Sequence, residues 1–146
     1  MLKPVLSDSD RLVVAGYVAC AVIAIGSIAP WVSFAGEEVL GINDPAGVSD
    51  QVADLGFLGS DGWLTLVLAG FSAAMLWNWD QFAAREKLIG LIVMGGVAVV
   101  IPVYDLIDIV NADVEDVSAG WGLFAALIGS LGLLGISARL LRLNPV

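Results

Sequence analysis

Four long stretches of uncharged, apolar residues divide the chain, and short polar segments separate them. These stretches cover residues 12–34, 63–79, 88–104 and 121–141, and the only charged residue within them is Arg139. A helix needs about 20 apolar residues to cross a bilayer, so the pattern predicts four transmembrane helices. At a rise of about 1.5 Å per residue the second and third stretches reach only about 26 Å, and we expect each to continue into its flanks.

The composition is typical of a membrane protein. Of the 146 residues, 59% are hydrophobic and 14% are charged, whereas roughly 25% of the residues in soluble domains are charged. Four spans use about 80 residues, which leaves no room for a sizeable soluble domain. We therefore predict an all-α integral membrane protein in which residues 1–146 form one four-helix bundle with up-down-up-down order.

The charged residues are segregated between the two sides of the predicted helices. The outer loops, residues 35–62 and 105–120, hold eleven acidic residues and no basic residue. Basic residues flank membrane spans on the cytoplasmic side. The pattern therefore predicts a protein of the cell membrane with both termini in the cytoplasm and both acidic loops outside. The six basic residues that set this orientation are Lys3, Arg11, Arg85, Lys87, Arg139 and Arg142.

The five tryptophans fit the same orientation. Trp31, Trp63 and Trp121 fall at predicted outer helix ends, and Trp77 and Trp79 fall at a predicted inner end. Tryptophan prefers the interface between membrane and water. We predict that all five side chains are interfacial anchors.

A cleaved secretory signal is the alternative interpretation of the first apolar stretch. A basic start, an apolar segment and the small residues around Ser33 and Ala35 fit such a signal. However, residues 13–29 alone exceed the usual signal core of about 7–15 residues. An uncleaved transmembrane helix is therefore the favoured interpretation.

The polar segments predict only short structures outside the membrane. Ser7 is a residue that starts a helix, and Asp80 is a candidate cap for the third helix. In the first outer loop, residues 38–42 are expected to form a strand, 43–45 a turn and 49–55 a helical segment. The second outer loop is expected to begin as a continuation of the third helix.

Two prolines lie near predicted outer helix ends, and the residues around them suggest a duplication. Each proline removes a backbone hydrogen bond, and at this depth we expect it to end its helix rather than kink it. Pro30-Trp31 matches Pro102-Val103-Tyr104, and Gly62-Trp63 matches Gly120-Trp121. The matches fit two duplicated hairpins, although chance recurrence explains them equally well.

Small residues recur along the predicted helices and predict close helix packing. Packing inside one bundle is the favoured role, but the fourth helix carries more glycines than one contact needs. This surplus favours self-association or another membrane subunit as a partner. The predicted packing residues are Gly16, Cys20, Ala24, Gly95, Gly96, Ala125, Gly129, Gly132 and Gly135.

The outer carboxylates are the only candidate chemistry in the sequence. Asp105 and Asp108 would share one face of a continuing third helix, and Asp61 opens the second helix at the same depth. Such a rim could attract a cation, although a solvated acidic surface without a ligand is favoured. The chain has no histidine and one cysteine, and no charged side chain lies in mid-span. The sequence therefore predicts no catalytic residue, cofactor, bound metal or nucleic-acid partner.

A resemblance to a group of membrane proteins rests on three short features. These are Pro30-Trp31, Gly-Ser-Asp-Gly-Trp at 59–63 and Ala-Gly-Trp-Gly at 119–122. Their order resembles small four-span proteins of halophilic archaea and actinobacteria, and it implies no activity. The excess of Asp over Lys fits a salt-rich exterior. In layout the chain also resembles the small multi-span envelope protein of pleomorphic haloarchaeal viruses.

These observations favour a structural role. We expect a non-enzymatic structural or accessory subunit of a membrane assembly, formed as a homo-oligomer, with other subunits or in a viral envelope. The alternative is a small cation channel or transporter whose mouth is formed by Asp61, Asp105 and Asp108. An enzyme is a distant third, since no nucleophile can be named.

Overall fold

The computed structural model describes residues 7–34, 36–42, 61–77, 84–111 and 116–143. Most of these residues are helical, as predicted. The helices are α1 (Asp8–Ile28), α2 (Asp61–Leu76), α3 (Ala84–Asn111) and α4 (Trp121–Leu143). Three short strands accompany them: β1 (Pro30–Phe34), β2 (Glu37–Leu40) and β3 (Val117–Ala119).

Three of the described helices, α1, α3 and α4, are long and apolar enough to cross a membrane. The second helix, α2, is apolar but has only 16 residues. At about 1.5 Å per residue it is about 24 Å long. A membrane location is therefore plausible from length and composition.

Helix α1 begins where its sequence predicts and ends earlier. A capping box starts it, because Ser7 Oγ accepts a hydrogen bond from the Asp10 backbone N–H at 3.2 Å and Asp10 accepts one from the Ser7 N–H. The predicted extension to Phe34 is wrong: α1 ends at Ile28, and Ala29 is extended. Proline disfavours a helical conformation in the residue before it, so Pro30 ends the helix as expected.

Pro102 behaves differently from Pro30. It lies buried inside α3, which continues nine residues further to Asn111. The expectation that Pro102 ends its helix is therefore wrong, whereas the predicted continuation into the second outer loop is confirmed. A membrane helix tolerates an internal proline where neighbouring segments cover the freed backbone groups.

The three strands form an antiparallel sheet in the order β2-β1-β3. In the central strand, Val32 pairs with Val39 of β2 and with Ala119 of β3. Strand β2 overlaps the predicted strand at 38–42, but β1 and β3 were not predicted. The predicted turn at 43–45, helical segment at 49–55 and cap at Asp80 lie outside the described residues.

The helices pack in a ring in which each contacts the next and α4 returns to α1. We call the end that carries the sheet the sheet end, and the end with Ser7 and Leu143 the terminal end. The middle of the bundle is an apolar cluster. Its buried members are Ala19, Cys20, Ile23, Ala69, Leu76, Leu91 and Leu133.

The sheet covers one end of the bundle. Trp31, Val32 and Val39 of the sheet pack with Ile109 of α3 and Leu123 of α4 in a second buried cluster. The apolar residues that follow α1 thus pack on the helix ends. A continuous first helix would carry them away from this cluster.

Of the two sequence matches between the halves of the chain, only the match of Gly62-Trp63 with Gly120-Trp121 has a structural counterpart. The backbone N–H of Gly62 donates to the Gly41 carbonyl at 3.0 Å, and that of Gly120 donates to the Trp31 carbonyl at 2.7 Å. Both glycines thus join a helix start to the segment around the sheet. The two prolines differ, since one starts a strand and the other lies within a helix.

Candidate functional site

The carboxyl groups of Asp61 and Asp105 meet at the sheet end, where α2 begins beside α3. Their carboxyl groups lie within hydrogen-bonding reach of each other. Helix α3 brings Asp105 to this position because it continues past Pro102. An ionised carboxylate only accepts hydrogen bonds, so a bond between two carboxyl groups requires a proton on one of them. We call Asp61 and Asp105 the carboxyl pair.

Asp105 is the buried member of this pair. Its side chain is 1% exposed, whereas Asp61 is half-buried at the start of α2. Asp105 Oδ2 is the only buried side-chain nitrogen or oxygen without a hydrogen-bond partner among the described residues. A buried polar atom without a hydrogen-bond partner lowers the stability of the folded protein, so native proteins contain few of them. The sequence predicted a solvated rim, and the structure instead places Asp105 inside the protein.

Asp108 does not complete a three-carboxylate site. It lies about one turn beyond Asp105 on α3, is half-buried, and is close enough to act on the charge of Asp105. The described ranges hold no group of three or more His, Cys, Asp or Glu side chains that could bind a metal ion. The structure thus joins two of the three predicted rim residues.

Two buried hydroxyl groups near the same end join α1 to α2. Ser27 Oγ and Thr65 Oγ1 are 2.8 Å apart and both side chains are fully buried. Each hydroxyl also contacts its own helix: Ser27 donates to the Ile23 carbonyl at 2.8 Å, and Thr65 lies 3.0 Å from the Gly62 carbonyl oxygen. Sequence analysis missed this pair, because isolated Ser and Thr residues in apolar stretches carry no pairing signal.

The predicted packing residues divide between the interior and the surface. Gly129 lies against the α1 backbone: a Cβ there would be 2.9 Å from the Ile23 nitrogen and 3.1 Å from the Ala19 carbonyl oxygen. Gly26 and Gly122, which were not predicted, extend this contact toward the sheet end. Of the predicted set, Gly16, Cys20, Gly95 and Gly129 are buried, Ala24, Gly96 and Ala125 are half-buried, and Gly132 and Gly135 are exposed.

The tryptophans also differ in their surroundings. Trp63, Trp77 and Trp121 are each more than half exposed, in keeping with a place at a membrane interface. Trp31 is buried instead, and its indole Nε1 donates to the Gly26 carbonyl at 2.7 Å. It is a core residue of the sheet end rather than an interfacial anchor. Trp79 lies outside the described residues.

The terminal end carries the opposite charge. A cleft of about 260 Å³ between the start of α1 and the end of α4 is lined by Asp8, Arg11 and Arg139, together with Leu12 and Leu143. Arg11 and Arg139 are exposed. The carboxyl pair and these arginines therefore lie at opposite ends of the bundle.

No protein-family profile, curated protein or solved structure matches this chain.

Proposed function

We propose that this protein crosses a membrane four times and acts as a non-enzymatic structural or accessory subunit of a membrane assembly. The observation that carries the proposal is the distribution of apolar side chains. Large apolar side chains point outward on every helix, where a soluble protein would carry polar ones. Examples are Val14, Val18, Ile25, Leu64, Val67, Phe71, Val93, Val97, Val100, Ile128 and Leu131.

The packing of α2 supports its assignment as a membrane span in addition to α1, α3 and α4. Contacts near both ends pair it with its neighbour: Thr65 meets Ser27 near the sheet end, and Leu76 meets Gly16 toward the terminal end. These contacts support up-down order for α1 and α2. The exposed Trp63 and Trp77 near the ends of α2 are suited to the two membrane interfaces.

Charge segregation supports the membrane orientation. Arg11 and Arg139 lie together at the terminal end, while Asp61, Asp105 and Asp108 lie at the sheet end. Basic residues favour the cytoplasmic side. We therefore propose that both termini are cytoplasmic and that the sheet faces outward, in a cell membrane or a viral envelope.

The exposed face of α4 supports association with a second copy or another membrane subunit. Ile128, Leu131, Gly132 and Gly135 are spaced so that they share one helix face, and all four are exposed. A Cβ on Gly135 would meet nothing within 4 Å. Glycines on a lipid-facing surface allow a second helix to approach closely. This face is the proposed assembly contact.

The mass of the intact assembly, extracted gently at high and low salt, tests this proposal. We expect an oligomer or a stoichiometric complex, and we expect the double substitution Gly132→Leu, Gly135→Leu to reduce it to the monomer. Gly96→Leu on α3 is the matched control, because a Cβ at Gly96 or Gly135 meets nothing within 4 Å and one at Gly132 meets only the Ala19 Cβ, at 3.9 Å. A monomeric wild-type protein, or assembly that survives the double substitution, would contradict the proposed contact.

A cation channel is the second candidate, and the carboxyl pair is the observation in its favour. Against conduction through one bundle, the interior is filled by Leu88, Leu91 and Leu133, each at most 1% exposed. A cation path would therefore run between copies, and the half-buried Asp61 and Asp108 would lie nearer its mouth than the buried Asp105. Cation flux into liposomes tests this candidate, and unchanged flux in the triple Asn variant would end it.

A further inference from the structure

We propose that Asp61 and Asp105 form a proton-binding site, in which one exchangeable proton ties the start of α2 to α3. The proposal goes beyond a structural role for the bundle. It rests on two geometric observations: Asp105 is buried with its Oδ2 unpartnered, and the Asp61 carboxyl group lies within hydrogen-bonding reach of the Asp105 carboxyl group. A pair of carboxylates at a solvated surface needs no ligand, because water screens the charges. A pair with a buried member needs a bound proton or cation.

The pair needs a positive charge that the nearby chain does not supply. Residues 12–84 and 88–138 contain no Lys or Arg, so the whole sheet end of the described structure lacks basic side chains. Two ionised carboxylates in contact repel strongly and cannot both be charged without compensation. A shared proton removes one charge and supplies the hydrogen bond that joins the two helices.

A proton fits this site better than a metal ion. Calcium takes six to eight oxygen ligands, whereas no third His, Cys, Asp or Glu side chain joins the pair within the described ranges. A proton needs no cavity and only two oxygen atoms. The observed contact between the carboxyl groups is therefore the complete site for this ligand.

The position of Asp61 provides the route for exchange. Asp105 is buried, but Asp61 is half-buried at the first position of α2. The free N–H groups of a helix start stabilise a negative charge there. When the proton leaves, it passes from the pair to water through Asp61. The inter-helix hydrogen bond is then lost, and the pair carries two negative charges instead of one.

Among the residues that the structure describes, few other titratable groups face the pair. Asp108 on α3 is the remaining carboxylate that acts on Asp105, and Tyr104 on the same helix is exposed. Strand β3 and residues 121–138 of α4 contain no titratable side chain. On α1, the nearest such group is Cys20, about two turns from Ser27. The titration of the site is therefore expected to belong to Asp61 and Asp105, with Asp108 as a smaller influence.

Infrared spectroscopy of the full chain in lipid nanodiscs tests the proposal directly. Exposed carboxyl groups are ionised at pH 7, so the band of a protonated carboxyl group that persists there reports a held proton. We expect such a band in the wild type. We expect Asp105→Asn to abolish it, and Asp61→Asn to shift its loss to lower pH by about one pH unit or more, since a neighbouring negative charge is removed.

Asp116→Asn provides the matched control. Asp116 is an exposed carboxylate just before β3, and Asn tolerates its positive φ of 67°. This variant is expected to titrate like the wild type. Far-ultraviolet circular dichroism checks that each Asn variant keeps its helical content, and the Asn side chain preserves hydrogen-bonding capacity.

Three results would overturn the proposal. One is the absence of a protonated carboxyl band at pH 7 in the wild type. Another is identical titration of the wild type and Asp61→Asn, which would make Asp105 an isolated acid. The third is replacement of the proton by Na⁺ or Ca²⁺ at constant ionic strength and pH, which would make the pair a metal site.

Discussion

Ser27 of α1 and Thr65 of α2 are hydrogen-bonded across the helix interface, with their hydroxyl oxygens 2.8 Å apart in a fully buried position. Helices in lipid gain little from the hydrophobic effect when they associate, so polar contacts and close packing hold them together. This hydroxyl pair fixes α1 against α2 near the sheet end. It also lies at the end of the bundle where the carboxyl pair joins α2 to α3.

The hydroxyl pair predicts a measurable coupling energy. In a double-mutant cycle with Ser27→Ala and Thr65→Val, we expect a coupling of about 0.6 kcal/mol, and at most about 1.7 kcal/mol. The free energy of unfolding in mixed micelles provides the measurement. Ser137→Ala replaces Ser27→Ala in the control cycle, because Ser137 donates to the Leu133 carbonyl of its own helix. Additive effects in the first cycle would contradict the coupling.

The close contact between α1 and α4 predicts that Gly129 tolerates no side chain. We expect Gly129→Ala to destabilise the protein by about 1–3 kcal/mol, because its Cβ meets backbone atoms of α1 that cannot move independently. Gly135→Ala gains the same helix propensity, about 1 kcal/mol, without the clash. Thermal unfolding of the two variants checks the difference. Equal stability would show that α1 and α4 are not in contact at Gly129.

The burial of Trp31 predicts that it differs from the exposed tryptophans. Trp31→Phe removes the hydrogen bond to the Gly26 carbonyl, which keeps only the longer 3.3 Å contact from the Ala29 N–H. We expect a loss of about 1–3 kcal/mol in the free energy of unfolding. The exposed Trp121 is the control, and Trp121→Phe should change stability little. Brominated lipids should quench Trp121 fluorescence and leave Trp31 unaffected; the reverse pattern would refute the assignment.

The proposed orientation predicts opposite labelling of two serines. Ser7 at the start of α1 and Ser118 in β3 are both exposed, at opposite ends of the bundle. In a Cys20→Ala background, an impermeant maleimide applied to intact cells should label Ser118→Cys and spare Ser7→Cys. Permeabilised cells control for reactivity, since both cysteines should then react. Labelling of Ser7→Cys in intact cells would reverse the proposed orientation.

The carboxyl pair predicts how stability depends on pH. If the folded protein holds a proton that the unfolded chain releases at neutral pH, the folded state binds more protons, and stability falls as pH rises. We therefore expect the melting temperature of the wild type to fall as pH rises through the titration of the pair. In Asp105→Asn this dependence should be absent. A melting temperature that rises over the same range in the wild type would contradict the shared proton.

Sequence patterns predicted the helices well but placed the outer end of α1 wrongly. The apolar stretches identified each of the four helices among the described residues, because hydropathy is carried locally by consecutive residues. The predicted end of α1 was wrong, whereas the predicted continuation of α3 into the second outer loop was confirmed. Pro30 ended a helix inside an apolar stretch, while the polar Asp105 and Asp108 were included in a helix that continued past Pro102. Hydropathy alone predicts neither the end of α1 before Pro30 nor the continuation of α3 past Pro102.

The candidate site was predicted in part. The three-residue spacing of Asp105 and Asp108 placed both on one face of a continuing helix, and Asp61 was expected at the same depth. The sequence alone could not show that Asp105 is buried against Asp61 while Asp108 stays partly exposed. That distinction depends on where α2 lies against α3, and no local pattern carries this information.

The sequence by itself determined the helical class, the segregation of acidic and basic residues and the presence of four apolar helices, since each follows from the order of residue types along the chain. Only the tertiary structure decided the sheet, the burial of Trp31 and the joining of Asp61 to Asp105. These features depend on contacts between segments far apart in sequence. In such contacts the same residue type can face lipid, water or protein, and packing alone selects among them.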